Sequence, residues 1–520
     1  MKKILTAAVL LALLQVANSC KTDEDFENSL TTKQVGGGGT GNAAALLTGA
    51  YNAMRGPFQG NVNVFAMSEV PTDERIMPTR GPDWDDNGVW RQFHQHRWDQ
   101  NNSQIQSAFN GLNAVVFSAT DLLRFNPSPQ QAAEARFLRA YAMYWVLDLF
   151  DQVPYREPGE SVIEPARVRK GPEALNYIIA EITAVRGDLP DGPVVGRANK
   201  DAARALLMKC YLNKGMYTSR TSPTFATADM NLVIGLADEI ISSNRYRFAP
   251  NYFDNFAPDN GTKGVENIFT QENIGGTTDS DMSHHWKFVT HYNMFPSGYN
   301  GPCTTSDFYD KFEARDKRRG MAYRVPGGPP NPGNRINVGF LIGQQYNLTT
   351  DAPLQDRGGA PLAFTREVKI IETGRNLEVT GIRPIKYPAD IINDANNRDD
   401  NDFVMLRYPD VLLMKAEAIL RGGTGTPPGG NTALALVNSI RTHVSRDASA
   451  LGTITLDVLL DERGREMYNE CWRRQDLIRF GKFLGPIQEK PQVSPATYLI
   501  YPIPNDQVVS NPLISQNPGY

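Results

Sequence analysis

A short loop rich in acidic residues and tryptophan is the clearest candidate for chemistry in this sequence. It lies within residues 82–98, and its polar and aromatic side chains include Asp83, Trp84, Asp85, Asn87 and Trp90. Indole faces stack on the apolar C–H faces of sugars, and carboxylate and amide groups hydrogen bond to hydroxyls. These residue types at this spacing predict a carbohydrate-binding loop.

The same loop has two other interpretations. Residues 83–88 match the first half of an EF-hand calcium loop, but the position of its bidentate glutamate is His94. A weak calcium site, or none, is therefore the better expectation, and no cofactor is predicted. The other interpretation places a tryptophan in the core, which we expect for Trp98 and leave open for Trp90.

A second group of aromatic residues occurs in the middle of the chain. Trp286, Tyr292 and Tyr299 could provide further stacking faces, although packing within a loop is the alternative. The same segment contains His284, His285 and His291, whose spacing is not that of a zinc site, and the sequence has no HExxH motif. No metal site is predicted.

Carboxylates near the C-terminus do not indicate catalysis. Glu462, Glu466 and Glu470 are four residues apart, which places them on one face of a predicted helix, with arginines among them. A glycosidase needs two carboxylates across a cleft, so a neutralised helix network is the preferred interpretation. Because nucleophile, nucleotide-binding and zinc-protease motifs are also lacking, no catalytic residue is predicted.

The first residues have the layout of a bacterial lipoprotein signal. Two lysines precede an apolar run at residues 4–14, which is too short to span a bilayer. Small residues then lead to Cys20, so residues 1–19 are the predicted signal and Cys20 the lipidated residue. Residues 20–42 are the predicted tether to a membrane. A plain secretory signal with an incidental cysteine is the alternative.

The overall charge argues against a nucleic-acid partner. The 520-residue chain carries a formal net charge of −4, and removing Lys2 and Lys3 with the signal takes it to −6. No basic excess is available to neutralise phosphates. No second apolar run in the sequence is long enough to cross a membrane.

Helical spacing dominates two parts of the chain and is absent between them. Residues 43–244 and 403–520 repeat apolar residues every three or four positions, whereas residues 245–402 are rich in Gly, Pro, Asn, Asp and aromatics. Ser128 and Pro129 form a helix-start signal. Further helices are predicted at residues 172–186, 200–214, 226–243, 403–421, 432–444 and 456–480. The predicted fold class is mainly α.

Several segments match, in order, the motifs of one known family. They are residues 72–74, 134–141 with 149–154, 312–318, 406–418, 438–441, 462–477 and the closing 501–520. Together they resemble the SusD/RagB family of lipid-anchored outer-membrane nutrient-binding proteins. The matches depart from the family pattern at Cys471, where glycine is usual, and at Pro409 and Asp410, where Ala-Glu is common.

This resemblance implies a single domain over residues 43–520, with a tetratricopeptide-like scaffold of helix pairs and a ligand-binding region at 245–402. It implies capture of a nutrient glycan or oligosaccharide outside the cell, without catalysis, and delivery to a SusC-like TonB-dependent outer-membrane transporter. Peptide or glycoprotein cargo is the alternative within the family. A secreted lipoprotein glycoside hydrolase is the alternative outside it.

Overall fold

The longest helix begins at the signal that the sequence predicts. Ser128 Oγ accepts a hydrogen bond from the Gln131 backbone N–H at 3.3 Å, and Gln131 Oε1 accepts one from the Ser128 backbone N–H at 2.9 Å. This capping box satisfies donors that the first turn leaves open, and Pro129 fits because it has no N–H. The helix, Pro129–Phe150, is buried at every position from Phe137 onward, so it lies at the centre of the scaffold.

The computed structural model describes residues 42–393, 397–424 and 431–520, and Ala43–Tyr520 form one compact unit. The α-helices in these residues are α1 Ala43–Ala53, α2 Arg55–Phe58, α3 Asn63–Glu69, α4 Val89–His94, α5 Ser103–Leu122, α6 Pro129–Phe150, α7 Gly171–Val185, α8 Lys200–Leu212, α9 Lys214–Thr218, α10 Thr227–Ser242, α11 Asn260–Lys263, α12 His284–Lys287, α13 Ser306–Tyr309, α14 Tyr408–Leu420, α15 Ala433–Arg441, α16 Leu456–Met467, α17 Arg473–Arg479 and α18 Asn505–Ser510.

Helices from both ends of the chain stack into one scaffold. Helix α6 packs between α5 and α7, and α10 packs on both α8 and α14, although α10 and α14 are far apart in the sequence. Helix α14 then packs against α15 and α16. Stacked pairs of this kind bury apolar faces that one pair alone would leave open. The mainly α class is confirmed, and none of the described helices has the length and apolar character that a membrane crossing requires.

The region between the two helical parts contains short strands rather than only loops. The strands of the described residues are β1 Thr79–Arg80, β2 Gln152–Tyr155, β3 Arg167–Lys170, β4 Asn267–Gln271, β5 Gly320–Met321, β6 Val338–Leu341, β7 Gly343–Gln344, β8 Ala363–Phe364, β9 Ile371–Glu372, β10 Arg383–Ile385 and β11 Phe403–Arg407. Strands β4 to β10 lie in the region between the helical parts, and the other four lie in the helical parts themselves. Strand β4 pairs antiparallel with β11, with Gln271 opposite Phe403. We name residues 245–402 the loop region. Strand β4 lies near its start and β11 directly follows its end, so the loop region leaves the scaffold and returns to it at the same place.

Two predicted helices differ from the structure. The segment predicted as one helix from residue 403 is strand β11 followed by α14, which starts at Tyr408 with Pro409 in its first turn. The segment 456–480 is divided into α16 and α17, because Asn469 and Cys471 adopt left-handed backbone angles, with φ of 56° and 68°. Proline and left-handed residues interrupt a helix whatever the apolar spacing around them.

The break between α16 and α17 changes the partners of the glutamates. Glu470 lies outside α16, so it does not share a helix face with Glu462 and Glu466. Its carboxylate accepts hydrogen bonds from Lys386 Nζ at 2.5 Å and Arg407 Nη2 at 2.6 Å. A helical pairing of Glu470 with Arg474, four residues on, would also follow from the sequence, but Arg474 pairs with Asp148 instead.

The glutamates of α16 form a buried ion network, as the sequence predicts. Glu466 accepts hydrogen bonds from three guanidinium groups, those of Arg318 at 3.0 Å, Arg407 at 2.6 Å and Arg446 at 2.6 Å. These side chains are fully buried. Despite burial, the arginines keep the pKa of Glu466 below its ordinary range. The network joins the loop region to the scaffold through Arg318 and leaves no carboxylate open to a substrate.

Candidate ligand-binding surface

The acidic, tryptophan-containing loop has an unusual backbone. Arg80 and Asp83 close its start through two backbone hydrogen bonds of 2.8 and 3.1 Å. Beyond this bridge Trp84, Asp86 and Asn87 have positive φ angles of 59°, 41° and 55°. Such angles cost non-glycine residues roughly 1–3 kcal/mol each, and they persist where neighbouring contacts hold the chain. The loop is thus held in one shape that directs Trp84 toward the middle of the chain.

Trp84 joins the loop to the aromatic residues predicted in the middle of the chain. Its indole N–H donates to the carbonyl oxygen of Tyr299 at 2.8 Å, and its ring lies edge-on to Phe288 with centroids 5.1 Å apart. Gly301 lies against the ring, because a Cβ there would be 2.1 Å from Trp84 Cε2. The indole is half-buried, so part of it remains open to solvent.

Tyr292 forms the second contact between the two segments. Its hydroxyl donates to Asp83 Oδ2 at 3.3 Å, and the Arg357 guanidinium lies 4.1 Å from the centre of its ring. Burial and the Asp83 charge both raise the pKa of Tyr292. Arg357 is itself paired with Glu378, which also accepts a hydrogen bond from His291. One face of the Tyr292 ring is therefore occupied by Arg357.

Tyr299 is the most open of the predicted aromatic residues, with 53% of its surface exposed. Its backbone N–H donates to the Lys287 carbonyl at 2.6 Å, which fixes its position beside α12. The preceding Gly298 packs so closely that a Cβ would lie 2.1 Å from Thr290 Oγ1. We name Trp84, Phe288, Tyr292 and Tyr299 the aromatic surface.

Two of the predicted stacking residues do not belong to this surface. Trp286 is fully buried and Trp90 nearly so, with the Trp90 indole N–H donating to Asp86 Oδ2 at 2.6 Å. Because both residues are buried, the expectation that they are exposed stacking faces is wrong for this structure. Both lie on helices, α12 and α4, whose inner sides face the core. Trp98 is buried as expected and donates to the Tyr520 hydroxyl at 2.8 Å.

The loop carboxylates contact different partners rather than a common centre. Asp83 accepts from Tyr292, Asp85 pairs with Arg91, and Asp86 accepts from Trp90. Asn87 is exposed, and His94 is buried against backbone carbonyls of the core. Within the described ranges no three His, Cys, Asp or Glu side chains are close enough to hold a metal ion. Cys20, the predicted lipidated residue, lies outside the described residues.

Sequence reasoning missed several residues of this surface. Phe288, Gly301, Arg357 and Glu378 contact the predicted residues but lie in segments without a recognisable motif. The density of aromatic residues and glycine at positions 286–301 was a signal for Phe288 and Gly301. Nothing in the sequence connects Arg357 or Glu378 to Tyr292, because long-range contacts of loop residues have no periodic pattern.

The structure thus combines a helical scaffold, in which the glutamates of α16 are buried in ion pairs, with a partly exposed aromatic surface. The SusD family profile matches residues 236–520 of this chain, and the chain belongs to that family. SusD-family proteins bind and do not catalyse, which confirms the prediction that this protein is not an enzyme.

Individual relatives agree with this assignment. The starch-binding protein SusD of Bacteroides thetaiotaomicron is 25% identical over 509 residues, covering 88% of this chain and 85% of the relative. A SusD superfamily protein of Parabacteroides distasonis has a similar fold, with a TM-score of 0.70 at 20% identity over 95% of this chain and 100% of the other. Surface glycan-binding protein A of Bacteroides thetaiotaomicron, solved with laminarihexaose, has a TM-score of 0.66 at 17% identity over 91% and 98%.

Proposed function

We propose that this protein binds a nutrient glycan on the aromatic surface, outside the cell, and passes it to a TonB-dependent outer-membrane transporter. The observation that carries the proposal is the contact between Trp84 and Tyr299. The two residues are 215 positions apart, yet they are joined by a hydrogen bond of 2.8 Å, and both residues remain at least partly exposed. The starch-binding and laminarihexaose-bound relatives support a glycan as the ligand class.

The chemistry of the surface suits a sugar. Trp84 and Tyr299 offer aromatic area for the apolar C–H faces of a pyranose ring, and their positions are fixed by backbone hydrogen bonds. The exposed carboxylate of Asp83 and the exposed amide of Asn87 lie on the same loop and can hydrogen bond to hydroxyls. Because these side chains are already oriented, a ligand loses little affinity to ordering them.

The test uses residues 21–520, the predicted mature chain without Cys20. Affinity gels containing starch, laminarin or other polysaccharides, followed by calorimetry, should retard the protein on one glycan class without release of reducing ends. We expect Tyr299→Ala and Trp84→Ala each to weaken binding about tenfold or more, because centrally placed aromatic residues dominate binding energy. Phe117→Ala is the control, since Phe117 is 51% exposed on α5 in the scaffold.

Two results would overturn the proposal. Unchanged affinity in both aromatic variants would remove the aromatic surface as the site. Failure of every polysaccharide to retard the protein, with binding of a peptide mixture instead, would replace the glycan with peptide cargo.

The anchor and the transporter are separate parts of the proposal. A lipid on Cys20 would hold the protein in the outer membrane, where a binding protein can meet a transporter. In cells, Cys20→Ser should move the protein from the membrane fraction to the soluble fraction. The transporter should co-purify with the wild type and not with this variant. Membrane retention of the serine variant would contradict the anchor.

A further inference from the structure

A cavity of about 520 Å³ borders the segment that carries Tyr292 and Tyr299. Residues 293–296 of that segment line it, together with residues from β5 to β7 and the loop between β5 and β6. Its volume falls within the ~300–1,000 Å³ typical of ligand sites. We name it the loop cavity. None of the four residues of the aromatic surface lines it.

The charges that line the loop cavity are all of one sign. Arg319 and Arg335 line it, and no aspartate or glutamate is among its described lining residues. Arg335 is neutralised by Asp351, with Nε 2.8 Å from Oδ1. Arg319 has no carboxylate within ion-pair distance in the described ranges of the chain. Its Nη2 donates to the Tyr309 hydroxyl at 2.6 Å, which leaves other N–H donors of the guanidinium available.

Amide side chains add oriented acceptors. Asn293 Nδ2 donates to the Gln355 carbonyl at 2.9 Å, and Gln344 Nε2 donates to the Leu354 carbonyl at 2.8 Å. These bonds fix the amide groups through their donors and leave the oxygens as acceptors for hydroxyl groups. The cavity can therefore accept hydrogen bonds from hydroxyls and donate charge-assisted hydrogen bonds from Arg319.

Two large apolar side chains at the cavity support its use as a binding site. Phe295 is 61% exposed and Ile336 is 51% exposed, although both line the cavity. Exposed apolar side chains grouped around a concave site are typical of surfaces that a ligand covers. The C–H faces of a sugar would cover them while its polar groups reach the amides and Arg319.

We propose that the loop cavity is a second saccharide site, separate from the aromatic surface, which selects a sugar residue bearing an anionic substituent through Arg319. The choice of a saccharide rests on the proposed function. The anionic substituent follows from the lining: a cavity with an unpaired guanidinium and no carboxylate favours a carboxylate or sulfate group over a neutral or cationic one. The aromatic surface carries both signs of charge, because Asp83 accepts a hydrogen bond from Tyr292 and Arg357 lies over the Tyr292 ring.

The test uses calorimetry on residues 21–520 with three probes. Trigalacturonate supplies carboxylates, a κ-carrageenan tetrasaccharide supplies sulfate esters, and laminarihexaose is neutral. We expect the wild type to bind one of the two anionic probes and Arg319→Gln to bind it about tenfold or more weakly, as expected for loss of a charge-assisted hydrogen bond. The affinity should also fall as salt is raised. Whichever anionic probe binds identifies the substituent.

Two variants separate this site from the aromatic surface. Arg324→Gln removes an exposed arginine of the same segment that does not line the cavity, and it should bind like the wild type. Trp84→Ala should weaken neutral-glycan binding and leave the anionic probe unaffected. Failure of both anionic probes to bind, or equal binding of the anionic probe by Arg319→Gln and the wild type, would overturn the loop cavity as a site. Neutral-glycan binding that depends on Trp84 would still support the proposed function.

Discussion

Tryptophan occurs in both the helical scaffold and the acidic loop at residues 82–98, and Trp84 of that loop is covered less completely than the scaffold tryptophans. In the scaffold, Trp145 and Trp472 pack with tilted rings whose centroids are 4.8 Å apart, and both are buried. In the acidic loop, Trp84 contacts the rest of the protein through its N–H and through Phe288, and the residue is only partly buried. The other tryptophans, Trp90, Trp98 and Trp286, are buried.

Carboxylates show the same difference. Glu466 in α16 accepts hydrogen bonds from three buried arginines, whereas Asp83 in the loop accepts one from a tyrosine hydroxyl at 3.3 Å. A residue whose contacts are complete serves the fold, and a residue of the same type whose contacts are incomplete can still contact a ligand. Residue type alone therefore does not separate structure from function in this protein.

The largest effect should come from the scaffold network. Glu466→Gln keeps the shape of the side chain but leaves Arg318, Arg407 and Arg446 with less negative charge in a fully buried site. Breaking a buried network by removing one partner costs about 3–5 kcal/mol. We expect urea denaturation to show a loss of this size. Glu173→Gln on α7, whose side chain is 69% exposed, is the control and should change stability little.

Acidity provides a second test of the scaffold. Glu69 and Glu74 are buried near each other, so burial and the mutual repulsion of two carboxylates both favour protonation of one of them. Burial raises the pKa of Glu69 from 4.5 to about 7. The folded state then binds more protons than the unfolded state between these values, so the free energy of unfolding falls as pH rises from about 4.5 to about 7.

The change over this window is about 3 kcal/mol for such a shift in pKa. Other groups also titrate there, so the measurement is the difference between wild type and Glu69→Gln in chemical denaturation at several pH values. The glutamine variant should lose stability less steeply toward neutral pH. Parallel curves for the two proteins would mean that Glu69 is ionised in the folded state across the window.

A third test changes the glycine against which the Trp84 ring packs. In Gly301→Ala the new methyl group would lie 2.1 Å from Trp84 Cε2, so the indole must move away from Tyr299. We expect glycan affinity to fall about tenfold, close to the effect of Trp84→Ala, because the ring is displaced rather than lost. Gly49→Ala on α1 meets nothing within 4 Å and is the control. Unchanged affinity in Gly301→Ala would show that the position of Trp84 does not matter.

The scaffold was more predictable than the binding surface for a physical reason. Apolar spacing and the Ser128 cap are local signals. They place the start of α6 at Pro129 and the bounds of α7, α8 and α10 within a few residues of those observed. Local signals failed at β11, where pairing with β4 decides the structure, and at Glu470, where two left-handed residues end α16.

At the binding surface the sequence predicted residue types but not their exposure. The structure brings the loop with Trp84 and Asp83 against Tyr299 and Tyr292, whereas Trp286, from the same predicted set, is buried. The difference depends on which side of α12 faces the core. Four residues are too few to show a helical period, so the sequence could not resolve it.

The smallest expected effect concerns Asp83, whose contact is the least complete. Asp83→Asn keeps a hydrogen-bond acceptor for the Tyr292 hydroxyl and removes the charge that, after burial, helps to raise the pKa of Tyr292. We expect a lower Tyr292 pKa by NMR of its ring carbon, a change in stability within about 0.5 kcal/mol, and a loss of glycan affinity of a few-fold at most. Tyr292 stays protonated at neutral pH in both proteins, so any loss of affinity there reports the carboxylate and not the phenol. A large drop in stability would place Asp83 among the residues with complete contacts, and the distinction between scaffold and surface carboxylates would then not hold for this loop.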